Sequence, residues 1–88
     1  NNFKLRTMKF SVNINILPQD ALLDPQGKTI EQNTSKLAIE GVTNVRIGKH
    51  ITLELESPNR EDAEKNIKEL CEKLLVNQIT EKYDYKIV

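Results

Sequence analysis

Residues 8–16 alternate strictly between apolar and polar side chains, and this stretch constrains the fold more than any other. The apolar side chains recur at every second position, which is the period of a β-strand with one buried face. Pro18 has no backbone N–H to donate, so the strand is expected to end there. A sheet with one apolar face needs a second layer to cover it. The apolar members of the alternation are Met8, Phe10, Val12, Ile14 and Ile16.

A first helix is predicted to begin after the short connection that follows this strand. Asp24 can cap the helix, and Pro25 suits the first helical position because its missing N–H is not needed there. Gly41 is the predicted stop. The apolar stripe consists of Ile30, Leu37 and Ala38, which Thr34 completes weakly.

A second helix has the clearest helical pattern in the chain. Ser57-Pro58-Asn59 is predicted to open it, with a cap residue and a proline at the first position. A last strand follows, because Ile79, Tyr83, Tyr85 and Ile87 again occupy alternate positions. The apolar face of the second helix consists of Ala63, Ile67, Leu70, Cys71, Leu74 and Leu75.

The segment between the two helices allows two interpretations. One is a single long strand bent at Gly48, and the other is a hairpin whose loop is Gly48-Lys49-His50. Both keep the apolar residues on one face, so the pattern alone does not separate them, and the long bent strand is the preferred interpretation. The apolar residues that share a parity are Val45, Ile47, Ile51, Leu53 and Leu55.

The order of elements is therefore strand, helix, strand or hairpin, helix, strand. It predicts an α+β fold, a two-layer sandwich in which two helices cover one face of an antiparallel sheet, related to the ferredoxin-like arrangement. Residues 8–88 are expected to form this single domain. Residues 1–7 have no clear period and are interpreted as an N-terminal extension or a cloning remnant.

Composition excludes several classes of function. The 88 residues include 13 basic and 13 acidic ones, so the net charge of +0 argues against binding to nucleic acid or to an anionic membrane. A single cysteine permits no intrachain disulfide, and no apolar run approaches the length of a membrane helix. A cytoplasmic location is the expectation.

No catalytic or metal site is predicted from the residues. His50 has no catalytic partner nearby in sequence, and Cys71 lies on the apolar face of the second helix. The turn at Asp24 presents Gln26 beside a helix N-terminus, which could receive an anion or a partner. Lys49 falls on the apolar side of a strand, where a cation is costly unless it is paired, reaches solvent or meets a partner.

The turn at Asp24 and the segment that contains Lys49 both coincide with a known pattern. Residues 22–30, Leu-Leu-Asp-Pro-Gln-Gly-Lys-Thr-Ile, resemble the L-D-P-Q-G-x-x-I signature of the PurS family. Residues 42–49, Val-Thr-Asn-Val-Arg-Ile-Gly-Lys, are similar to that family's V-x-x-V-R-x-G-K. Residues 70–81 resemble its closing C-x-K-L-L-x-N-P-x-I-E, although Gln78 stands in place of the usual proline. The resemblance extends from about residue 8 to residue 88.

The resemblance implies a non-catalytic role within a ligase complex. PurS is the small subunit of phosphoribosylformylglycinamidine synthase, which acts in purine biosynthesis. It bridges the glutaminase subunit PurQ and the synthetase subunit PurL for ammonia transfer, and it associates with itself as a dimer or a tetramer. The resemblance implies no cofactor in this chain, since ATP, Mg and glutamine are used by the partner subunits.

Carried over residue by residue, the resemblance implies a partner interface at the two motifs. A small-molecule-sensing regulatory domain of ferredoxin-like layout is the alternative function. Thr34 also departs from the family, which usually has a larger apolar residue there, so a small packing deficit is expected on the first helix. The candidate interface residues are Asp24, Pro25, Gln26, Gly27, Arg46, Gly48 and Lys49.

Overall fold

The computed structural model describes residues 7–88, and the predicted extension at residues 1–7 lies outside this range except for its last residue. The described residues form three strands and two α-helices. A 3₁₀ turn, Ser35–Leu37, follows the first helix, and a π-helical turn, Cys71–Leu75, follows the second. In chain order the elements are β1 (Met8–Pro18), α1 (Pro25–Thr34), β2 (Lys49–Ser57), α2 (Arg60–Leu70) and β3 (Glu81–Ile87).

The three strands form one antiparallel sheet with β1 in the centre and the strand order β2-β1-β3. In this register Ile14 lies opposite Ile51 on one side and Tyr85 on the other. The apolar residues of all three strands therefore share one face, as the alternation in each strand predicts. The α+β fold with an antiparallel sheet and two helices is confirmed.

Helix α2 packs on the apolar face of the sheet. Its residues Ala63 and Ile67 are fully buried, as are Cys71 of the following π-helical turn and Ile14 and Ile16 of the central strand. Val76 closes the core after the π-helical turn. The partly buried residues packed against this core are Ile51, Leu53, Leu55, Leu75, Tyr83, Tyr85 and Ile87.

Helix α1 projects away from the sheet. The molecule measures 61 × 26 × 15 Å with a radius of gyration of 18.0 Å, whereas a compact domain of this length would have a radius of about 12 Å. Gly27 is the one buried residue of α1. We call residues 19–48, which carry α1 out from the sheet and back, the arm. The large apolar residues that the arm exposes are Leu22, Leu23, Ile30, Leu37 and Ile39.

The middle of the chain differs from both interpretations of the sequence. No hairpin forms at Gly48, because β2 pairs with β1 from Lys49 to Ser57. Residues 39–48 take no part in the sheet of this chain. The hydrogen-bonded strand is therefore shorter than the long bent strand of the preferred interpretation.

Three predicted element boundaries are also wrong. Helix α1 ends at Thr34, and Ala38 with a φ of 60° closes the following turn before Gly41 is reached. Helix α2 is capped by Asn59, whose side chain accepts a hydrogen bond from the Asp62 amide at 2.7 Å, so Pro58 precedes the cap. Ile79 lies in the turn before β3.

Candidate partner-binding site at the base of the arm

Asp24 ties the outgoing and returning chains of the arm together. Its Oδ1 accepts a hydrogen bond from the Gly27 amide at 3.0 Å, which caps α1, and its Oδ2 accepts one from the Ile47 amide at 2.6 Å. These two backbone donors, that of Gly27 first, lower the pKa of Asp24, and the charge of Arg46 lowers it further. An ionised Asp24 therefore joins the two sequence motifs through one buried side chain.

Arg46 makes a second connection across the arm. Its guanidinium donates to the carbonyl oxygen of Gln19 at 2.6 Å and to that of Leu22 at 2.9 Å. Two charge-assisted hydrogen bonds from one planar group fix the direction of the connecting chain. Arg46 therefore has a structural role within the arm.

Glycine at positions 27 and 48 allows backbones to approach closely. A Cβ atom at Gly27 would overlap the carbonyl oxygen of Val45, and one at Gly48 would overlap the carbonyl oxygen of Ile16. A side chain at either position would push the arm away from its own returning chain or from β1. Both positions therefore require glycine for steric reasons. We call residues 19–27 and 44–49 the arm base.

Lys49 forms an ion pair with Glu81 across the end of the sheet. The Nζ–Oε2 distance is 3.4 Å, and the pair spans β1, whose Ile16 lies opposite Lys49 and whose Pro18 lies opposite Glu81. The hydrogen bond from the Asn77 amide, and then the Lys49 ammonium, lower the pKa of Glu81. Pairing and solvent contact together explain how a lysine is tolerated in an apolar alternation.

The structure brings the predicted site residues together in part. Asp24, Gly27 and Arg46 form one hydrogen-bonded unit, and Gly48 leads from it to Lys49 at the end of the sheet. Pro25 and Gln26 are exposed on the first turn of α1. The inner side of the unit is hydrogen-bonded and its outer side is exposed at Pro25 and Gln26, and its use as a partner interface stays a prediction.

Sequence reasoning missed Glu81 as a member of this region. Glu81 shares the parity of Tyr83, Tyr85 and Ile87, just as Lys49 shares that of the apolar residues in β2. The signal in the sequence was that β2 and β3 each carry a charged residue, of opposite sign, at a position where the alternation expects an apolar one. Arg46 donates to backbone carbonyl oxygens, which every residue has, so the sequence does not indicate these partners.

Comparison with known proteins decides the family. A family model described as PurS, phosphoribosylformylglycinamidine (FGAM) synthase, matches residues 11–88. The chain belongs to the PurS family. It is 35% identical to the Bacillus subtilis phosphoribosylformylglycinamidine synthase subunit PurS, over 89% of this chain and 92% of the relative. It is 36% identical to the Thermotoga maritima subunit, over 88% of this chain and 94% of that one.

Solved PurS structures share the fold. The crystal structure of the Thermotoga maritima PurS subunit has a TM-score of 0.84 at 34% identity, covering 93% of this chain and 94% of that chain. A chain in the structure of PurLQS from Thermotoga maritima has a TM-score of 0.85 at 34% identity, covering 92% and 99%. The family assignment favours the assembly subunit over the sensor domain.

His50 and Cys71 have side chains that could act in catalysis, but in this PurS chain each has a structural environment. The His50 Nδ1 atom lies 2.7 Å from Oδ1 of Asn15, whose amide donates to Asp84 at 3.1 Å on the exposed face of the sheet. Cys71 is buried in the core, and burial, followed by the charge of Glu72, raises the pKa of its thiol. Within residues 7–88 no helix is long and apolar enough to cross a membrane, and no three His, Cys, Asp or Glu side chains are grouped to hold a metal ion.

Proposed function

We propose that this chain is the small, non-catalytic subunit that holds the PurQ glutaminase and the PurL synthetase in one FGAM synthase complex. Membership of the PurS family makes purine biosynthesis its setting. The observation that carries the proposal is its similarity to a chain of the PurLQS structure, of which it covers 99% at a TM-score of 0.85. The cytoplasm is the expected location.

The proposed chemistry belongs to the partner subunits. They would use ATP, Mg and glutamine, and ammonia would pass between them as a free intermediate. Free ammonia is protonated and diluted in bulk water, so a subunit that fixes the two active sites in register raises the rate through proximity. The arm base, in which Gln26 and Lys49 are both exposed, is the surface we assign to this contact.

A dimer is the proposed working unit. In the single chain α1 buries one glycine, and the large apolar residues of the arm remain in contact with water. Exposed apolar side chains of this kind are expected to be covered by another chain.

Reconstitution tests the proposal. PurL and PurQ, with formylglycinamide ribonucleotide, glutamine, ATP and Mg, should form FGAM at full rate only after this chain is added, and the chain alone should hydrolyse neither glutamine nor ATP. Mass measurement of the mixture should show all three subunits in one complex. Full glutamine-dependent activity without this chain would overturn the proposal.

A further inference from the structure

The turn that leads into β3 presents an exposed isoleucine. Ile79 is 87% exposed, more than any other large apolar side chain in the described part of the chain. It belongs to the third sequence motif, residues 70–81, whereas the arm base takes its residues from the first two. A single exposed apolar side chain needs no explanation by itself, so the surroundings of Ile79 decide whether it has a role.

Hydrogen bonds hold the turn on both sides of Ile79. The side-chain oxygen of Asn77 accepts from the Ile79 amide at 3.0 Å, and the Asn77 carbonyl oxygen accepts from the amides of Thr80 and Glu81 at 3.1 Å and 2.7 Å. Isoleucine is also stiff about its first side-chain bond because it is β-branched. An apolar side chain held in this way loses little conformational entropy when another protein covers it.

Gln19 joins this turn to the arm base. Its backbone amide donates to the Thr80 carbonyl oxygen at 2.9 Å, and its side-chain amide donates to the Glu81 carbonyl oxygen at 2.8 Å. The carbonyl oxygen of the same Gln19 accepts from Arg46 at 2.6 Å. The turn and the arm base are therefore parts of one hydrogen-bonded surface.

Glu81 joins the turn to Lys49. Its Oε2 lies 3.4 Å from the Lys49 Nζ, and its Oε1 accepts from the Asn77 amide at 2.9 Å. A partner that covers Lys49 would extend over the turn, because one carboxylate contacts both. An apolar side chain beside charged groups that remain near solvent is the usual arrangement of an anchor residue in a protein interface.

We infer that Ile79 is an apolar anchor for the enzyme subunit that docks on the arm base, and that it fills an apolar pocket of that subunit. The inference rests on the proposed function and deepens it, because it adds the third motif to the interface. It requires that Lys49 and Ile79 contact the same subunit. A second copy of this chain is the other occupant that the experiments must separate.

Photocrosslinking in the assembled complex identifies the occupant. Ile79→Cys and Lys49→Cys, each labelled with benzophenone maleimide, are assembled with PurL and PurQ and irradiated, and mass spectrometry identifies the crosslinked chain. Wild-type chain treated in the same way is the control, since its Cys71 is buried. We expect both probes to label one and the same enzyme subunit. A probe at position 79 that labels a second copy, a different subunit from the probe at position 49, or no protein would overturn the inference.

A charge at position 79 provides the second test. Ile79→Asp should raise the chain concentration that gives half-maximal glutamine-dependent FGAM formation on the order of tenfold or more, because a carboxylate does not enter an apolar pocket. The mass of the isolated chain and its free energy of unfolding should not change. Val88→Asp, at a 64% exposed position beyond the other end of β3, is the matched control.

The outcomes separate this inference from the proposed function. An unchanged half-maximal concentration for Ile79→Asp, or a change in the mass of the isolated chain, would overturn the anchor and leave the assembly role standing. Full glutamine-dependent activity without any added chain would overturn the assembly role, and the anchor with it.

Discussion

The Asp24 carboxylate accepts a hydrogen bond from the Ile47 amide at 2.6 Å, across 23 residues of sequence. The same carboxylate caps α1 through Gly27. One side chain therefore couples the formation of a helix to the return of the chain toward the sheet. This coupling is expected to make the stability of the arm depend on pH.

The stability of the arm should fall in acid because the pKa of Asp24 is lowered in the folded chain. Its stabilising contribution is present above the unfolded-state pKa of about 3.9 and is lost as the pH falls through the lower folded-state value. Asp24→Asn should be less stable at pH 7, since an amide has one acceptor oxygen and would direct N–H groups at a second donor. Urea unfolding at pH 7 and near pH 3 measures both effects. Glu40→Gln, at an exposed position, is the control, and an equal response of the two variants would contradict the role of Asp24.

Gly27→Ala should destabilise the chain by about 1–3 kcal/mol, because the new methyl group overlaps the Val45 carbonyl and the backbone must shift. Gln26→Ala, one position earlier in the same helix and exposed, should leave the free energy of unfolding within about 0.5 kcal/mol. Denaturant titration followed by circular dichroism compares them. Equal stability of the two variants would show that the arm can move at no cost.

Ile67→Ala should lower the free energy of unfolding by about 2–5 kcal/mol, since Ile67 is fully buried between α2 and the sheet. Ile79→Ala removes a large apolar side chain that is 87% exposed and should have an effect near zero. A small loss of unfolding free energy for Ile67→Ala would indicate that the main core lies elsewhere.

Lys49→Ala and Gln26→Ala should reduce glutamine-dependent FGAM formation in the reconstituted complex while largely preserving activity with added ammonium salt. Lys49 is largely exposed, so loss of its ion pair with the partly buried Glu81 should cost less than about 1 kcal/mol of folding stability, and the effect would come from the interface. Lys86→Ala, an exposed lysine on β3, is the control. Equal loss of both activities would indicate misfolding or a direct effect on the synthetase.

The sequence predicts the sheet well because its signal is local. The period of two in β1, from Phe10 to Ile16, and the apolar face of α2 at Ala63 and Ile67 each depend on residues a few positions apart. These patterns are sufficient to assign the face of each strand and the α+β fold. The motifs that identify the family are equally local.

The position of α1 depends on contacts between residues far apart in the chain, so the local sequence pattern was not sufficient to predict it. Ile30 and Leu37 indicate an apolar side but not the surface that it will cover. The strand through Val45 and Ile47 was predicted from parity alone, but a strand also needs a neighbour, and in this chain the Ile47 amide donates to Asp24 instead. The direction of the arm depends on that bond and on contacts at Gly27 and Gly48.

Because one side of α1 is uncovered, the stability of the chain should depend on how much of its partner is present. Any partner that covers Ile30 and Leu37 binds the folded chain and not the unfolded one, so by mass action the melting temperature should rise with the concentration of that partner. A cell that makes this subunit in excess over its partners would then hold a pool of less stable chains with apolar surface in water. Chaperones and proteases act on such chains, and turnover of the unassembled fraction would keep the subunits in proportion.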